Sequence, residues 1–165
     1  MRDLCPGVPV VALSATAAPR VRADIIRRLQ LCRPFVQVCS SKRENLQYVM
    51  RRRSKDPLKE VLEALKKSRG ATLIYVRTRR SVERWVGLLN DNKIPAIPYH
   101  GGLDPETRKI ALLDFLNKKK PVLVGTVAFG MGVDRKDVGT VVHLNLPASP
   151  EGYLQESGRA GRDGM

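Results

Sequence analysis

Arg159 and Arg162 stand three residues apart near the end of the chain, each directly after a glycine, Gly158 and Gly161. A guanidinium stays charged near neutral pH and presents a planar fork of N–H donors that matches phosphate oxygens. Glycine has no side chain, so the backbone at such a position can come close to a ligand. Paired arginines on a glycine-thinned turn are therefore suited to a polyphosphate. A solvated, charge-rich loop would carry the same residue types, and spacing alone does not separate the two.

Further groups with phosphate-binding chemistry follow short apolar runs. Arg77 and Arg79 supply charge, Thr78 and Thr126 supply hydroxyls, and Gly101-Gly102 exposes backbone N–H groups beside His100, whose ring can donate from either nitrogen. The bland alternatives are a solvated helix start for Arg77 to Arg80 and a hydrogen-bonded strand end for His100. His143 lies inside an apolar run and reads as structural. Trp85 shares a helical face with Val82, Val86 and Leu89, which makes it core rather than a stacking platform for bases. Phe129 reads as packing, and Lys118-Lys119-Lys120 as a solvated helix cap whose cations suit the dipole. No segment has the Gly-x-x-x-x-Gly-Lys-Ser/Thr pattern, and no Asp-Glu pair follows a strand, so the usual phosphate cradle and magnesium carboxylate are not in this sequence.

The elements that must position these groups alternate. Strands are expected at 72–76, 96–99, 121–125 and 140–144. Helices are expected from Pro57 to Gly70 and at 81–90, 105–117 and 149–157. Asp56-Pro57, Asp104-Pro105 and Ser149-Pro150 each pair a capping side chain with a proline suited to a first helical turn. Such alternation implies an α/β fold with a parallel sheet covered by helices on both faces. In open sheets of this kind ligands gather at the carboxyl ends of the strands, where Arg77-Thr78, Tyr99-His100-Gly101 and Thr126 all fall. Upstream, the apolar run 8–13 reads as a buried strand and Pro19 opens a basic helix to about Gln30. A polar connector covers 35–45, and 46–51 reads as a possible leading strand. The expected division is a first piece, 1–45, that ends a preceding lobe, and a main domain, 46–165.

The chain has 165 residues, 42% hydrophobic and 28% charged, which is enough for one domain with a good core. Thirty Lys and Arg against 16 Asp and Glu leave a net charge of +14, which favours a polyanionic partner. No apolar run could span a bilayer. Three cysteines, Cys5, Cys32 and Cys39, lack paired zinc-ligand spacing and read as reduced thiols of an intracellular protein. With two histidines, a histidine-rich metal site is not expected.

The segment from Tyr153 to Gly164 resembles the last helicase motif of superfamily 2 enzymes, in the form used by RecQ DNA helicases. Other segments resemble motifs of the same family in the same order. Leu13 to Ala17 resembles the motif coupling ATP hydrolysis to strand movement. Leu73 to Arg79 and Tyr99 to Leu103 resemble two nucleic-acid-facing motifs. Val124 to Asp134 resembles the long motif that touches both DNA and nucleotide. Ala128 to Gly132, with Gln155-Glu156, points to RecQ more than to RNA-unwinding relatives. Lys136 stands where many RecQ sequences have proline, a departure that bears on the rigidity of that loop.

The resemblance implies a RecA-like second lobe of an ATP-dependent DNA helicase moving 3′ to 5′. ATP and Mg2+ would be bound mainly by an upstream lobe. It implies that Arg159 and Arg162 both reach across the cleft to ATP, and that Ser14, Thr16, Gly132, Asp134 and Gln155 belong to the nucleotide side and its coupling network. Of the two arginines, Arg162 is expected to be the finger, because reach is freest at the end of the glycine-arginine run, and Arg159 to anchor the turn behind it. Arg77, Thr78, His100, Gly101, Gly102 and Thr126 would meet DNA, as single strand or at unwinding junctions. A role in DNA repair or recombination, in a nucleus or nucleoid, follows from the family. The alternatives are an RNA helicase of the same superfamily and a non-catalytic nucleic-acid-binding module derived from a helicase. An isolated second lobe would not hydrolyse ATP.

Overall fold

The computed structural model describes residues 7–40, 42–52, 54–130 and 134–164, and divides into two compact units, 1–43 and 44–165. Among the described residues the second unit holds four helices, α2 (Pro57–Lys67), α3 (Arg79–Asp91), α4 (Pro105–Asn117) and α5 (Pro150–Ser157), and four strands, β1 (Ala71–Tyr75), β2 (Ala96–Tyr99), β3 (Val122–Gly125) and β4 (Val138–His143). The caps read from sequence are formed. The Asp56 carboxylate accepts the Lys59 N–H at 3.1 Å, Asp104 accepts that of Thr107 at 2.9 Å and Ser149 accepts that of Gly152 at 3.0 Å. The hydrogen bonds from Thr107 also hold the Asp104 carboxyl below its ordinary pKa.

All pairings are parallel and the strand order is β2-β3-β1-β4. Central β1 is flanked on both sides, so every one of its five residues is buried, as a continuous apolar run requires. Pro98, which lacks an N–H, sits on edge strand β2, where a missing donor is tolerated. One face packs Leu73, Tyr75, Leu123 and Phe129 against Ala111 and Phe115 of α4. The other packs Ile74, Val76, Val122 and Val124 against Val61 of α2 and Val82, Val86 and Leu89 of α3, with Trp85 at the margin of that core. Phe115 and Phe129 are fully buried and meet edge-to-face at 5.3 Å. Truncating Phe115 would remove about 3–5 kcal/mol. β4 begins at Val138, two residues before the apolar pattern suggested, because Gly139 packs against the backbone at Gly70.

Among its described residues the first unit has one helix, α1 (Pro19–Arg28), with Pro19 in its first turn and no buried residue in the helix. The expected strand at 8–13 does not form there. Val11 and Leu13 are 79% and 91% exposed, since a doubly apolar strand needs covering on both faces and this unit supplies a single short helix. Nor is 46–51 a strand. Leu46 packs on the α4-side core and the Tyr48 ring meets Tyr153 at 5.9 Å, which anchors the segment by side chains instead of a ladder.

Candidate functional site

Parallel pairing brings the carboxyl ends of β1, β2 and β3 to one edge. The Thr126 turn lies between the ends of β2 and β1, and its N–H donates to the Tyr99 carbonyl at 3.2 Å. The Arg77 N–H donates to the Asn145 side-chain oxygen at 3.2 Å, leaving the Arg77 side chain exposed. Arg77, Thr78, His100, Gly101, Gly102 and Thr126 therefore share an edge. Arg79 joins them, because its side chain lies across Gly102: a Cβ there would stand 2.9 Å from Arg79 Cδ and 3.0 Å from its Nη1.

Several of these groups are already engaged within the chain. The Thr78 hydroxyl caps α3, accepting the Ser81 N–H at 3.1 Å, and the Thr126 hydroxyl accepts the Ala128 N–H at 3.4 Å. His100 is 6% exposed, and its Nδ1 accepts the Gly102 N–H at 3.1 Å. That bond sets the tautomer, so Nε2 carries the proton and donates to Glu83 at 2.7 Å. The expectation of a ring free to donate from either nitrogen is corrected accordingly. A phosphate contact by His100 would need one of these bonds broken, and one of the two glycine N–H groups already belongs to its ring. In this arrangement the imidazole shapes the glycine turn over which Arg79 lies.

Arg159 and Arg162 point to different environments. Arg159 is 7% exposed and donates to the Gly130 carbonyl oxygen. The Tyr75 hydroxyl donates to the preceding carbonyl, that of Phe129, at 3.1 Å. Two successive carbonyls of the loop after β3 are thus held from behind. Burial pushes the Tyr75 hydroxyl up to about 12, against a smaller downward pull from the Arg159 charge. His143 stacks on Tyr75 at 5.4 Å and bonds Glu156 of α5 at 2.7 Å, which ties β1, β4 and α5 together behind the turn and makes His143 structural. Arg162 is on the solvent side, with Nη1 2.6 Å from Asp134, whose side chain is 72% exposed.

Both glycines are demanded by the turn itself. Gly161 has φ +60 and donates its N–H to the Val138 carbonyl at 2.9 Å. A Cβ at Gly158 would meet the Leu154 carbonyl oxygen at 2.7 Å. The turn thus gives both glycines an internal reason, beside the close approach to a ligand expected from their lack of a side chain. The Gly161 carbonyl accepts from Asn45 Nδ2 at 2.8 Å across 116 residues of sequence. No local pattern could reveal Asn45, Glu83 or Asn145, because each acts on a residue brought close only by folding.

Gln155 is exposed on α5, Gly132 lies outside the described residues, and Ser14 and Thr16 belong to the first unit, where the Thr16 N–H donates to Ser14 Oγ at 3.3 Å. Cys32 and Cys39 are exposed free thiols, and Cys5 lies outside the described residues. Among the described residues no three His, Cys, Asp or Glu side chains gather as a metal site. No described helix is long and apolar enough to cross a membrane.

The profile of the helicase conserved C-terminal domain matches residues 54–164. The chain is 38% identical over 161 residues to the ATP-dependent helicase SGS1 of Saccharomyces cerevisiae, which covers 96% of this chain and 11% of that protein. It is 41% identical over 169 residues to the ATP-dependent helicase wrn-1 of Caenorhabditis elegans, covering 98% of this chain and 16% of the relative. The chain thus spans a small part of the relatives it matches. A solved structure of a Saccharomyces cerevisiae Dbp5 variant bound to RNA and ADP BeF3 superposes with TM-score 0.72 over 92% of this chain and 41% of the other, at 24% identity, a likeness of fold.

Proposed function

The chain belongs to the helicase conserved C-terminal domain family, and from that premise we propose that it is the second motor lobe of a RecQ-type, ATP-dependent DNA helicase moving 3′ to 5′. Residues 1–45 then close a preceding lobe that binds most of ATP and Mg2+, and 46–165 supply the finger and a DNA-backbone edge. The work is DNA repair or recombination, in the nucleus of a eukaryote or the nucleoid of a bacterium.

One observation carries the reading: of the paired arginines, Arg159 is held inside by the Gly130 carbonyl, whereas Arg162 is solvent-facing and held by the exposed Asp134. An exposed ion pair is worth about 0–1 kcal/mol, so Arg162 can leave Asp134 for a phosphoryl group at little penalty. Bound ATP supplies the transferring phosphoryl group. The chain's part is to keep a fork of N–H donors poised for the charge spread over it in the transition state. Arg159 keeps the base of that turn from shifting. At the other edge, the exposed Arg77 and the Arg79 side chain over Gly102 offer charge to a phosphate backbone without reading bases.

The test is nucleic-acid-stimulated ATP hydrolysis by the full-length protein that contains this chain, with DNA and RNA compared, and unwinding of duplexes bearing a 3′ or a 5′ tail. DNA stimulation with unwinding from 3′ tails is expected. Preferential stimulation by RNA would make it an RNA helicase. Nucleic-acid binding with no hydrolysis by the full-length protein would leave only a binding module. The 165-residue chain alone is expected to hydrolyse no ATP above buffer.

A further inference from the structure

We propose that the opposite, amino-terminal edge of the sheet is a second phosphate-backbone surface, which takes duplex nucleic acid independently of the carboxyl-end edge. An open groove of about 440 Å³ lies there, lined by Arg69, Gly70, Asn117, Lys118, Lys119, Lys120, Arg135 and Asp137. Its walls are the turns leading into β1, β3 and β4, three strands adjacent in the sheet. Five of those eight residues are cationic and one is anionic.

Two of the cations are committed. Arg135 binds the Asp137 carboxylate at 2.6 and 2.8 Å and donates to the carbonyls of Phe115 and Lys118, closing the end of α4. Its hydrogen bonds hold the Asp137 carboxyl below the ordinary value, so the groove's carboxylate is already neutralised by its neighbour. Lys118 bonds Asp114 at 2.6 Å, as a helix-end lysine does. Arg69, Lys119 and Lys120 remain exposed, and among the described residues none of them has an ion pair. All three lie beyond the last residues of α2 and α4, past the turns where cations serve the helix dipole. Lys120 also has φ +47, a left-handed conformation in which glycine is the relaxed choice, so a lysine stands there against backbone preference. The lysine triplet that sequence periodicity reads as a solvated cap thus closes a groove with Arg69, a residue fifty positions away.

The lining selects the occupant. It contains no apolar side chain, so it lacks the anchors on which protein partners depend. It contains no aromatic ring, so unstacked bases find no platform. What it offers is unpaired charge for a regular row of phosphates whose bases are stacked inward, which is a duplex. Strands of four to six residues separate the two edges by roughly 13–20 Å, so a single strand on the carboxyl-end edge does not reach this groove without turning around the sheet.

The experiment uses this 165-residue chain, a fluorescent blunt-ended duplex, a single strand and poly-glutamate, each titrated at about 50 and about 200 mM salt. In one variant Arg69, Lys119 and Lys120 are all replaced by Gln. In a charge-matched control the exposed Arg20, Lys59 and Lys109 are replaced by Gln. Melting curves of both variants check that each keeps the parent's fold. The parent's duplex affinity is expected to fall about fortyfold further than the groove variant's across that salt range, as loss of about three phosphate contacts dictates, with single-strand affinity unchanged. The control should behave as the parent. Equal duplex binding by parent and groove variant would overturn the proposal, as would an equal loss in the control, which reports net charge alone. Poly-glutamate held in the groove more tightly than duplex would assign the surface to an acidic protein segment instead.

Discussion

Arg159 and Arg162 share one turn, one chemistry and one preceding residue type, yet they occupy opposite environments. Arg159 is enclosed behind Phe129 and Gly130, in a network that includes Tyr75 and, through the stacked His143, Glu156. Arg162 faces solvent and meets a carboxylate that is itself exposed. Three residues on a tight turn suffice to put one guanidinium inside and the other out. On the proposed reading the two divide the labour: the guanidinium that must move is held by a weak, screened contact, and the loop behind the turn is held by enclosed hydrogen bonds.

The sharpest way to break this comparison is to exchange the two outcomes. In the full-length protein, Arg162→Ala should lower DNA-stimulated ATP turnover by about a thousandfold, on the order of 4 kcal/mol of barrier, with far less change in ATP affinity and none in the melting temperature. Arg162→Lys should restore little, because a point charge cannot reproduce the fork. If Arg162→Ala turns over ATP near the parent rate while a folded Arg159→Ala does not, the roles are reversed.

Removing the interior member should instead strike stability. Arg159→Ala removes a buried guanidinium and takes the donor from the half-buried Gly130 carbonyl, and should lower unfolding free energy by about 3 kcal/mol, measured by denaturant unfolding. An unfolding curve matching the parent's would show that the loop is anchored by something else.

A gentler probe of the same network is Tyr75→Phe, which removes one hydroxyl and should cost about 1 kcal/mol. It also has a pH signature. Tyr75 is raised from 10.0 to about 12, so above pH 10 the unfolded chain loses this proton before the folded one does. Its contribution is therefore intact below pH 10 and fades as pH climbs toward 12. The parent's melting temperature should fall over that interval more steeply than that of Tyr75→Phe. Parallel alkaline limbs would contradict the burial of the hydroxyl.

The smallest effect is expected at the carboxyl-end edge, where exposed charges act singly. Arg77→Ala should reduce the slope of log affinity against log salt for single strands by at most about one contact, with the fold untouched. An unchanged slope and affinity would return Arg77 to the solvated surface.

Local chemistry accounts for much of this molecule. The Asp-Pro and Ser-Pro pairs start three helices because a carboxylate or hydroxyl can reach an N–H three residues on, and that interaction needs no distant partner. The alternation of apolar runs and amphipathic helices was enough to imply a parallel sheet, and a parallel sheet necessarily brings Arg77, His100 and Thr126 to one edge. The same local logic misread 8–13, since apolar character states a demand for burial without supplying the surfaces that meet it.

What remained to the tertiary structure was which of these groups is free. Residue type assigns a hydrogen-bonding capacity, and only packing determines who uses it. His100 and Thr78 carry donors suited to phosphate, but Glu83, Gly102 and Ser81 already engage them. Gly158 and Gly161 carry no side chain, and the geometry of the turn itself requires that. The sequence by itself determined the sheet and the edge where ligands gather, because these follow from periodicity and caps, and its motifs carried the resemblance to the family. The tertiary structure alone decided that Arg159 is interior, that Arg162 is exposed, and that Arg69 stands beside the lysines of a turn fifty residues away. Burial and pairing are properties of neighbours in space, and neighbours in space are what folding adds.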